Sequence, residues 1–498
     1  MSFMGRTTLM LGTVLLLVSR VVVAQQPDSQ TGALPFSTTS PRVVRLLEDA
    51  WKLGLDEVQQ EQAIDVLHRA VKMDPDFAFG HELLATMSLD SAEQIVEQQK
   101  AFALRDHASP AERLAIEWQQ DSSDHQLMSA IPKMNELLSE YPRDRWVVFL
   151  AIRWLMAQTQ YARAVSVYEH SGLDAPGLLN RTAYCYAHMR QFDKAVVLMD
   201  RYVAALPHDP NPQDSYAEIL RMAGHFEQAV EHYREALQLD SQFYPSEFGI
   251  ADTYSLMGDQ GRARAEYKVA FRKFASLPDF YVVQWKTREG TTFVREGDYV
   301  GADRAFQALA EYAHSKHMSQ VEADTQRQMA IYQVDLKQGM VYLNKAEAAL
   351  NEGKNAMPMV LLQQEQAQIL RARVEIALRV GNKEMATTTL GQLKDLSDRS
   401  NDAVIETAYH GAAGAELFSQ KKYDQAVSHL EEDPNNPLSL KLLAAAYQKI
   451  GYSAGTKRTE ETLANFNEAT LEQALVVPAF RKCYEDPTCA GRTVASAH

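Results

Sequence analysis

Residues 179–207 read LNRTAYCYAHMRQFDKAVVLMDRYVAALP, and two further blocks repeat the pattern: QDSYAEILRMAGHFEQAVEHYREALQLD (213–240) and SEFGIADTYSLMGDQGRARAEYKVAFRKF (246–274). One alanine recurs every 34 positions: Ala195, Ala229 and Ala263. A second series with the same spacing lies twelve positions earlier: Ala183, Ala217 and Ala251. Self-similarity at a fixed period of this length indicates a repeated structural unit.

Helix packing explains the residue types in the repeated blocks. Two antiparallel helices approach closely only where both carry small side chains, and large residues such as Tyr233 and Tyr267 fill the space beside the crossing. Gly224 and Gly258 stand where the chain must turn from one helix to the next. The pattern resembles the tetratricopeptide repeat (TPR), which implies stacked helix pairs.

Weaker copies of this pattern extend along most of the chain. They include QAIDVLHRAVKMDP (62–75), the frames around Ala130 and Ala164, GDYVGADRAF (297–306), GNKEMATTTL (381–390) and KKYDQAVSHL (421–430). Residues 78–109 and 318–366 have a helical pattern but match the repeat poorly. We therefore predict an all-α fold, a right-handed α-solenoid superhelix of about ten to twelve helix pairs.

The array is expected over residues 42–465, with its best-matched units at 176–209, 210–243 and 244–277. Residues 466–498 depart from the period, and we interpret them as a C-terminal cap and tail, because an array must cover its exposed end. Residues 25–41 are rich in Gln, Ser, Thr and Pro, a composition typical of a disordered leader.

The first 24 residues have the pattern of a signal peptide. Arg6 precedes the apolar run Leu9–Val18, and Val22 and Ala24 form a small-residue cleavage site, so the mature chain would begin at Gln25. The alternative is an uncleaved membrane anchor, but the run is about half of the roughly 20 residues that a spanning helix needs. The sequence predicts an exported protein, periplasmic or secreted, with no membrane span after cleavage.

Charge and cysteine content narrow the partners and the chemistry. The formal net charge is −15, which disfavours nucleic acids and anionic membranes because both are polyanions. Cys483 and Cys489 flank a short loop and would form a disulfide in an oxidising compartment, with two free thiols as the alternative. Cys185 lies in a predicted helix and is expected to be a buried small hydrophobe. No metal site or cofactor is expected.

A ligand surface is predicted on the first helix of each unit. In TPR proteins this helix lines the concave wall, and the resemblance implies the same wall here. Side chains that share one helix face by i, i+3 and i+4 spacing would form it: Asn180, Tyr184, Asn211, Asp214, Glu218, Arg221, Phe248 and Asp252. Aromatic anchors among polar groups suit a protein or peptide ligand, and the acids favour a basic one. The alternative is that these residues form solvated helix faces with no dedicated ligand.

These patterns are compatible with three functions. The first is a non-catalytic scaffold that binds a polypeptide in the concave groove; the second is an exported receptor for a small molecule or saccharide; the third is an enzyme whose site lies outside the matched repeats. The string GYSAG (451–455) matches a serine-hydrolase motif. That motif requires a strand before Ser453, whereas the preceding sequence is helical in pattern. The scaffold is the leading hypothesis.

Overall fold

Helices joined by short turns account for nearly all of the computed structural model, which describes residues 33–485. Its 25 α-helices within that range are α1 Pro41–Trp51, α2 Gln60–Met73, α3 Ala78–Met87, α4 Ser91–Leu104, α5 Pro110–Ser123, α6 Leu127–Glu140, α7 Arg145–Ala157, α8 Tyr161–Ser171, α9 Pro176–His188, α10 Phe192–Ala205, α11 Pro210–Ala223, α12 Phe226–Leu239, α13 Tyr244–Met257, α14 Gln260–Lys273, α15 Asp279–Glu296, α16 Tyr299–Ser315, α17 Ser319–Tyr332, α18 Leu336–Glu352, α19 Met359–Arg379, α20 Lys383–Ser400, α21 Ala403–Ser419, α22 Tyr423–Leu430, α23 Pro437–Lys449, α24 Ser453–Ala464 and α25 Leu471–Tyr484.

Consecutive helices from α1 to α24 form twelve pairs, and each pair packs on the next along the chain. The tetratricopeptide-like solenoid expected from the sequence is therefore confirmed, with α25 as an additional single helix. The helices α9–α14 have 13 or 14 residues, whereas six of the helices from α15 to α21 have 17 to 21. This lengthening explains why residues 318–366 match the 34-residue period poorly.

Small residues hold the helices of each pair together. The six alanines of the two repeated series are fully buried: Ala183, Ala195, Ala217, Ala229, Ala251 and Ala263. The turn inside a pair requires a left-handed residue, which is Gly224 after α11 (φ 88°) and Arg190 after α9 (φ 59°). Glycine adopts this conformation at little cost, so its place in the sequence pattern has a backbone reason.

The first residues of the described range pack against the array. Leu34 is buried and its backbone N–H donates to Asp144 Oδ2 at 2.7 Å, while the N–H of Ser37 donates to Glu112 at 3.0 Å. Phe36 stacks on Phe79, with ring centroids 6.0 Å apart. The disordered leader predicted for residues 25–41 is therefore wrong for residues 33–40, because their apolar side chains and backbone groups find partners on the first helix pairs.

Candidate functional site

Burial distinguishes an inner layer of helices from an outer one. In the first helices of the central units residues are buried around the whole circumference, with nine buried residues in α9 and ten in α13. In the second helices one stripe is buried, and Val197 of α10 is 58% exposed on the opposite side. The first helices are thus the enclosed layer of the array, which we call its inner wall; whether a ligand binds there stays a prediction.

Polar side chains on this inner wall bond from one unit to the next. The hydroxyl of Tyr184 in α9 donates to Glu218 Oε2 in α11 at 2.8 Å. Arg221 Nη1 in α11 donates to Asp252 Oδ2 in α13 at 3.0 Å. Arg221 Nη2 also donates to Glu218 Oε1 at 2.6 Å, so four of the eight residues predicted to bind a ligand belong to one hydrogen-bonded network. A fifth, Asp214, accepts from the hydroxyl of Ser246 at 2.7 Å and interacts with the network through its charge.

The network nearly balances its own charge. Arg288 of α15 also donates to Asp252, so two guanidinium groups face the carboxylates of Asp214, Glu218 and Asp252. Burial opposes the ionisation of Glu218, but Arg221 and Arg288 outweigh it, and the pKa of Glu218 is lowered. Burial raises the pKa of Asp214 to about 7. A protonated Asp214 leaves two negative and two positive groups in the network.

Phe248 occupies a different environment from the one expected. Its side chain is fully buried, and its ring stacks on that of Trp285 in α15 with centroids 4.7 Å apart and planes 7° from parallel. Phe271 packs edge-on against the same ring. The expectation that Phe248 is an aromatic anchor on the groove surface is wrong, because the next unit covers its ring.

The two asparagines of the predicted surface are also buried. Asn211 Nδ2 donates to the hydroxyl of Tyr202 at 2.7 Å, and that hydroxyl donates to the carbonyl of Asp56 at 2.6 Å. Asn180 is 5% exposed, and its Oδ1 has no hydrogen-bond partner within residues 33–485. Tyr184 and Glu218 are the two of the eight residues that stay partly exposed. An open polar wall over this region is therefore corrected to a packed polar network, and the binding role of these residues stays a prediction.

An extended segment of the chain itself lies on the inner wall. Residues 465–473, which we call the docked segment, comprise the extended connection from α24 to α25 and the first turn of α25, and they contact the ends of α9 and α11. Arg190 Nη2 donates to the carbonyl of Asn465 at 2.6 Å. Asn467 Nδ2 donates to the carbonyl of Met222 at 3.2 Å, at the carboxyl end of α11. Unpaired carbonyls at a helix end need such donors, so the amide of Asn467 works as a cap from outside the helix.

A carboxylate of the docked segment faces the end of α9. Glu468 Oε1 lies 3.3 Å from His188 Nδ1, and each side chain is about one-third exposed, at 30% and 27%. The imidazole of His188 stacks on the ring of Tyr161, with centroids 4.7 Å apart. Burial, with Glu468 as a smaller contribution, raises the pKa of Tyr161 to about 12. The tyrosine, histidine and arginine together form a cradle for the segment.

The far end of the docked segment is fixed to the middle of the array. Arg295 in α15 donates through Nη2 to Gln473 Oε1 at 2.5 Å and also donates to the hydroxyl of Ser255 in α13. Gln473 is 1% exposed. The predicted cap over the terminal helices does contact α23 and α24 through α25, but the sequence did not indicate that the linker reaches back to α9 and α11.

Two recesses open in the array, and the first of them borders the docked segment. One has a volume of about 470 Å³ between α15 and α17, with Phe280, Val283 and Val321 on its walls and residues 469–472 along one side. The other has a volume of about 550 Å³ between the turn at His125 and the helices α18, α19 and α20, and amide and acidic side chains line most of it. Both recesses have the size of a small-ligand or side-chain pocket.

A polar clasp joins distant parts of the array near the second recess. His125 Nε2 lies 3.0 Å from Asp402 Oδ2, and its Nδ1 lies within hydrogen-bond distance of Gln363 Oε1. Gln158 Nε2 donates to the same Asp402 oxygen at 2.9 Å. The turns around residues 125 and 158 are therefore held against the turn before α21, which closes the array on itself.

The other sequence motifs can now be placed. Ser453 is the first residue of α24, after helix α23 and a glycine turn, so the strand that a serine-hydrolase elbow needs is not there. Cys185 is buried as expected, and burial raises the pKa of its thiol to about 12. Cys489 and the signal peptide 1–24 lie outside the described residues, so the disulfide with Cys483 and the export signal stay predictions.

Two further properties concern membrane spans and metal sites. Across residues 33–485, every helix is too short or too polar to cross a lipid bilayer. The same part of the chain contains no group of three His, Cys, Asp or Glu side chains arranged to hold a metal ion.

Comparison with known proteins finds similarity in structure but not in sequence. No family model and no curated protein match the chain. Among solved structures, the Cut9–Hcn1 hetero-tetramer of APC/C is 15% identical, covering 82% of this chain and 74% of that one, with a TM-score of 0.38.

Two other solved structures have the same TM-score of 0.38. Yeast Tom70 is 13% identical and covers 91% of this chain and 99% of its own. A Rap protein in complex with Competence and Sporulation Factor is 15% identical and covers 72% and 98%. Similarity at this level carries no argument about function, and the chain's own helix pairs establish the fold.

Proposed function

We propose that this protein is a non-catalytic scaffold that binds a polypeptide partner along the inner wall of its helical array, in the cell envelope or outside the cell. The observation that carries the proposal is the docked segment. An extended stretch of polypeptide lies across the ends of α9 and α11 and is held by side chains of the array. The wall binds a backbone carbonyl, a side-chain amide and a carboxylate of this segment, so it has the chemistry to bind the same groups of another polypeptide.

The charges on the wall argue against the basic partner expected from the sequence. Asp252 is already paired with Arg221 and Arg288, and burial raises the pKa of Asp214, so these acids offer little to a cationic ligand. The groups that face the docked segment are instead His188, Arg190 and Arg295. The proposed partner is therefore a polypeptide that presents carboxylate and carbonyl oxygens to this wall.

Site-specific photo-cross-linking in native cells tests the proposal. A photoreactive phenylalanine derivative placed at Tyr184, which is partly exposed in the inner-wall helix α9, is expected to cross-link the partner. The same derivative at Val197, which is 58% exposed on the outer layer, is the matched control. An adduct at position 184 that is absent at position 197 supports inner-wall binding. Adducts at both positions, or at neither, would contradict it.

Export is tested separately. The proposal places the mature chain outside the cytoplasm with Gln25 as its first residue, on the strength of the signal-peptide pattern in residues 1–24. Cell fractionation followed by N-terminal sequencing of the recovered protein is expected to give the sequence QQPDS in the exported fraction. A cytoplasmic protein that retains Met1 would refute export and leave the binding proposal in place.

A small-molecule or saccharide receptor is the second candidate, favoured by the recess of about 550 Å³ and its glutamine-rich lining. Amide side chains in a pocket suit a polar ligand with several hydroxyl groups. Thermal stabilisation by members of a saccharide panel, abolished by Gln363→Ala and Gln366→Ala, would support this candidate. No change in melting temperature with any member would count against it.

A further inference from the structure

We propose that the carboxyl ends of α9 and α11, together with Arg295 of α15, form a docking surface for an acidic, amide-bearing extended segment of a partner, and that residues 467–470 of the docked segment cover this surface until the partner displaces them. The inference rests on the proposed function and adds to it the chemistry of the partner and the way the site is closed.

Three consecutive features of the docked segment are recognised by the wall. Arg190 binds a backbone carbonyl at position 465, the Met222 carbonyl binds an amide N–H at position 467, and His188 faces a carboxylate at position 468. The order of these groups matters because the wall offers a donor at Arg190 and an acceptor at the Met222 carbonyl, and each matches only one kind of group on the segment. A partner segment with the order carbonyl, side-chain amide, carboxylate would satisfy the same three positions.

Gly224 keeps the middle position open. A Cβ atom added at this residue would lie 3.1 Å from Asn467 Nδ2, closer than ordinary contact. The residue has a φ of 88°, so both its conformation and the approach of the segment favour glycine here. The wall is therefore shaped for a side-chain amide at the end of α11.

The docked segment is partly exposed in its middle, at residues 468–470, and buried on either side, at Phe466 and Gln473. Near α9 the wall holds it through one hydrogen bond from Arg190 to a backbone carbonyl and through the approach of His188 to Glu468, whose side chains are about one-third exposed. Phe466 shares an apolar cluster with Val476 and Val477 of α25. Displacement would therefore take residues 467–470 off the wall while Phe466 and α25 stay in place.

The segment is joined to a helix at each end, so it would cover the surface even though few bonds hold it to α9 and α11. Because α24 and α25 keep the segment beside the wall, its effective concentration there is on the order of millimolar. A free partner segment must compete with that concentration. Its apparent affinity is therefore its intrinsic affinity multiplied by the fraction of molecules in which the surface is open. Weakening the internal contacts is expected to raise the apparent affinity for a segment added in solution.

The experiment measures the binding of a labelled peptide by fluorescence anisotropy. The probe is LANFNEATLEQAL, residues 463–475 of this chain, and it is titrated with the full-length protein. The double variant Asn467→Ala and Glu468→Ala removes two contacts of the docked segment but leaves the wall unchanged. We expect this variant to bind the probe at least about tenfold more tightly than the wild-type protein does.

Matched controls separate displacement from unfolding. Glu461→Ala removes an acid from the exposed surface of α24 and is expected to leave the affinity at the wild-type value. Adding His188→Ala and Arg190→Ala to the double variant is expected to abolish binding. Circular dichroism of each variant must show an unchanged helical content and melting temperature within a few degrees, because α25 still covers the terminal helices.

Each outcome decides one point. Tighter binding to the double variant, lost with the wall substitutions, supports the docking surface and its internal occupant. Equal affinity for wild-type and variant proteins would overturn the closing role of residues 465–473. No binding to either protein would overturn the docking surface. A cross-link from position 184 to a partner would in that case still support the broader binding function, so the two failures can be told apart.

Discussion

The guanidinium group of Arg221 in α11 and the carboxylate of Asp252 in α13 form a hydrogen-bonded ion pair of 3.0 Å with side chains 4% and 1% exposed. Removing Arg221 leaves Asp252 with Arg288 as its remaining cationic partner and takes from Glu218 its ion-pair partner, so two carboxylates of the network lose part of their compensation. We therefore expect Arg221→Ala to lower the free energy of unfolding by about 3–5 kcal/mol, measured by urea denaturation.

A solvent-exposed pair of the same type provides the control. Arg201 and Asp174 lie 2.6 Å apart, with side chains 44% and 71% exposed. Arg201→Ala is expected to change the free energy of unfolding by less than about 1 kcal/mol. Equal losses for the two arginine variants would show that the network from α11 to α13 is not the buried electrostatic element described above.

Phe248→Ala is expected to destabilise the array. The side chain is fully buried against Trp285, and truncation of a buried phenylalanine costs about 3–5 kcal/mol. Phe280, which is 44% exposed beside the recess between α15 and α17, is the matched control. Its replacement with alanine is expected to leave the urea midpoint nearly unchanged. A Phe248→Ala protein of wild-type stability would contradict the packing.

Asp214 predicts a particular dependence of stability on pH. Burial raises its pKa to about 7 in the folded protein, above the ordinary value of 3.8 in the unfolded chain. The folded state therefore binds the proton more tightly, so this contribution is fully present below pH 4 and is lost as the pH rises to 7. The slope is at most about 1.4 kcal/mol per pH unit.

The variant Asp214→Asn tests this dependence because it keeps an acceptor for Ser246 but does not titrate. Urea denaturation at a series of pH values from 4 to 8 measures both proteins, and subtraction removes the groups they share. The difference between them is expected to change through this window and to level off above pH 7. A constant difference at every pH would mean that Asp214 has the same pKa in the folded and unfolded chains.

The sequence was sufficient to predict the helix pairs because the residues that determine them are local. A helix crossing needs a small side chain at a fixed position of its own unit, and Ala217 and Ala229 fill those positions with no exposed surface. The exposure of the inner wall depends on residues far away in sequence. Glu468 lies 280 residues from His188, and no periodic pattern links the two. The burial of the predicted site residues was therefore not predictable from the repeat pattern, and their binding role stays a prediction.

We expect a second effect of pH on stability, at pH values above 6.5, from the side chain of His125. Burial lowers the pKa of His125. The hydrogen bonds to Asp402 and Gln363, together with the negative charge of Asp402, outweigh burial, so the pKa is raised above 6.5. A raised pKa in the folded state gives stability that is present below the unfolded value of 6.5. This stability is lost as the pH rises through the folded value.

His125→Asn is the appropriate variant for this second effect. His125 has a φ of 60°, a left-handed conformation that asparagine tolerates better than most residues. The wild-type protein is expected to lose stability relative to the variant as the pH rises above 6.5, measured by urea denaturation in matched buffers. Parallel profiles would show that the imidazole does not carry a charge in the clasp with Asp402.

The same substitution at two glycines should have opposite effects. A Cβ atom at Gly249 in α13 would lie 2.4 Å from Tyr233 Cε1, and the buried ring cannot move aside. Gly249→Ala is expected to cost about 1–3 kcal/mol through overpacking.

Gly261→Ala in α14 is the control. The nearest atom to the added Cβ would be 3.8 Å away, so alanine fits. Because alanine also restricts the unfolded chain, it is expected to stabilise the protein by roughly 0.5–1 kcal/mol. Urea midpoints of the two variants should therefore move in opposite directions from the wild-type midpoint. A shift of both in the same direction would mean that helix propensity alone, rather than the close contact between α12 and α13, decides the effect of a glycine in this array.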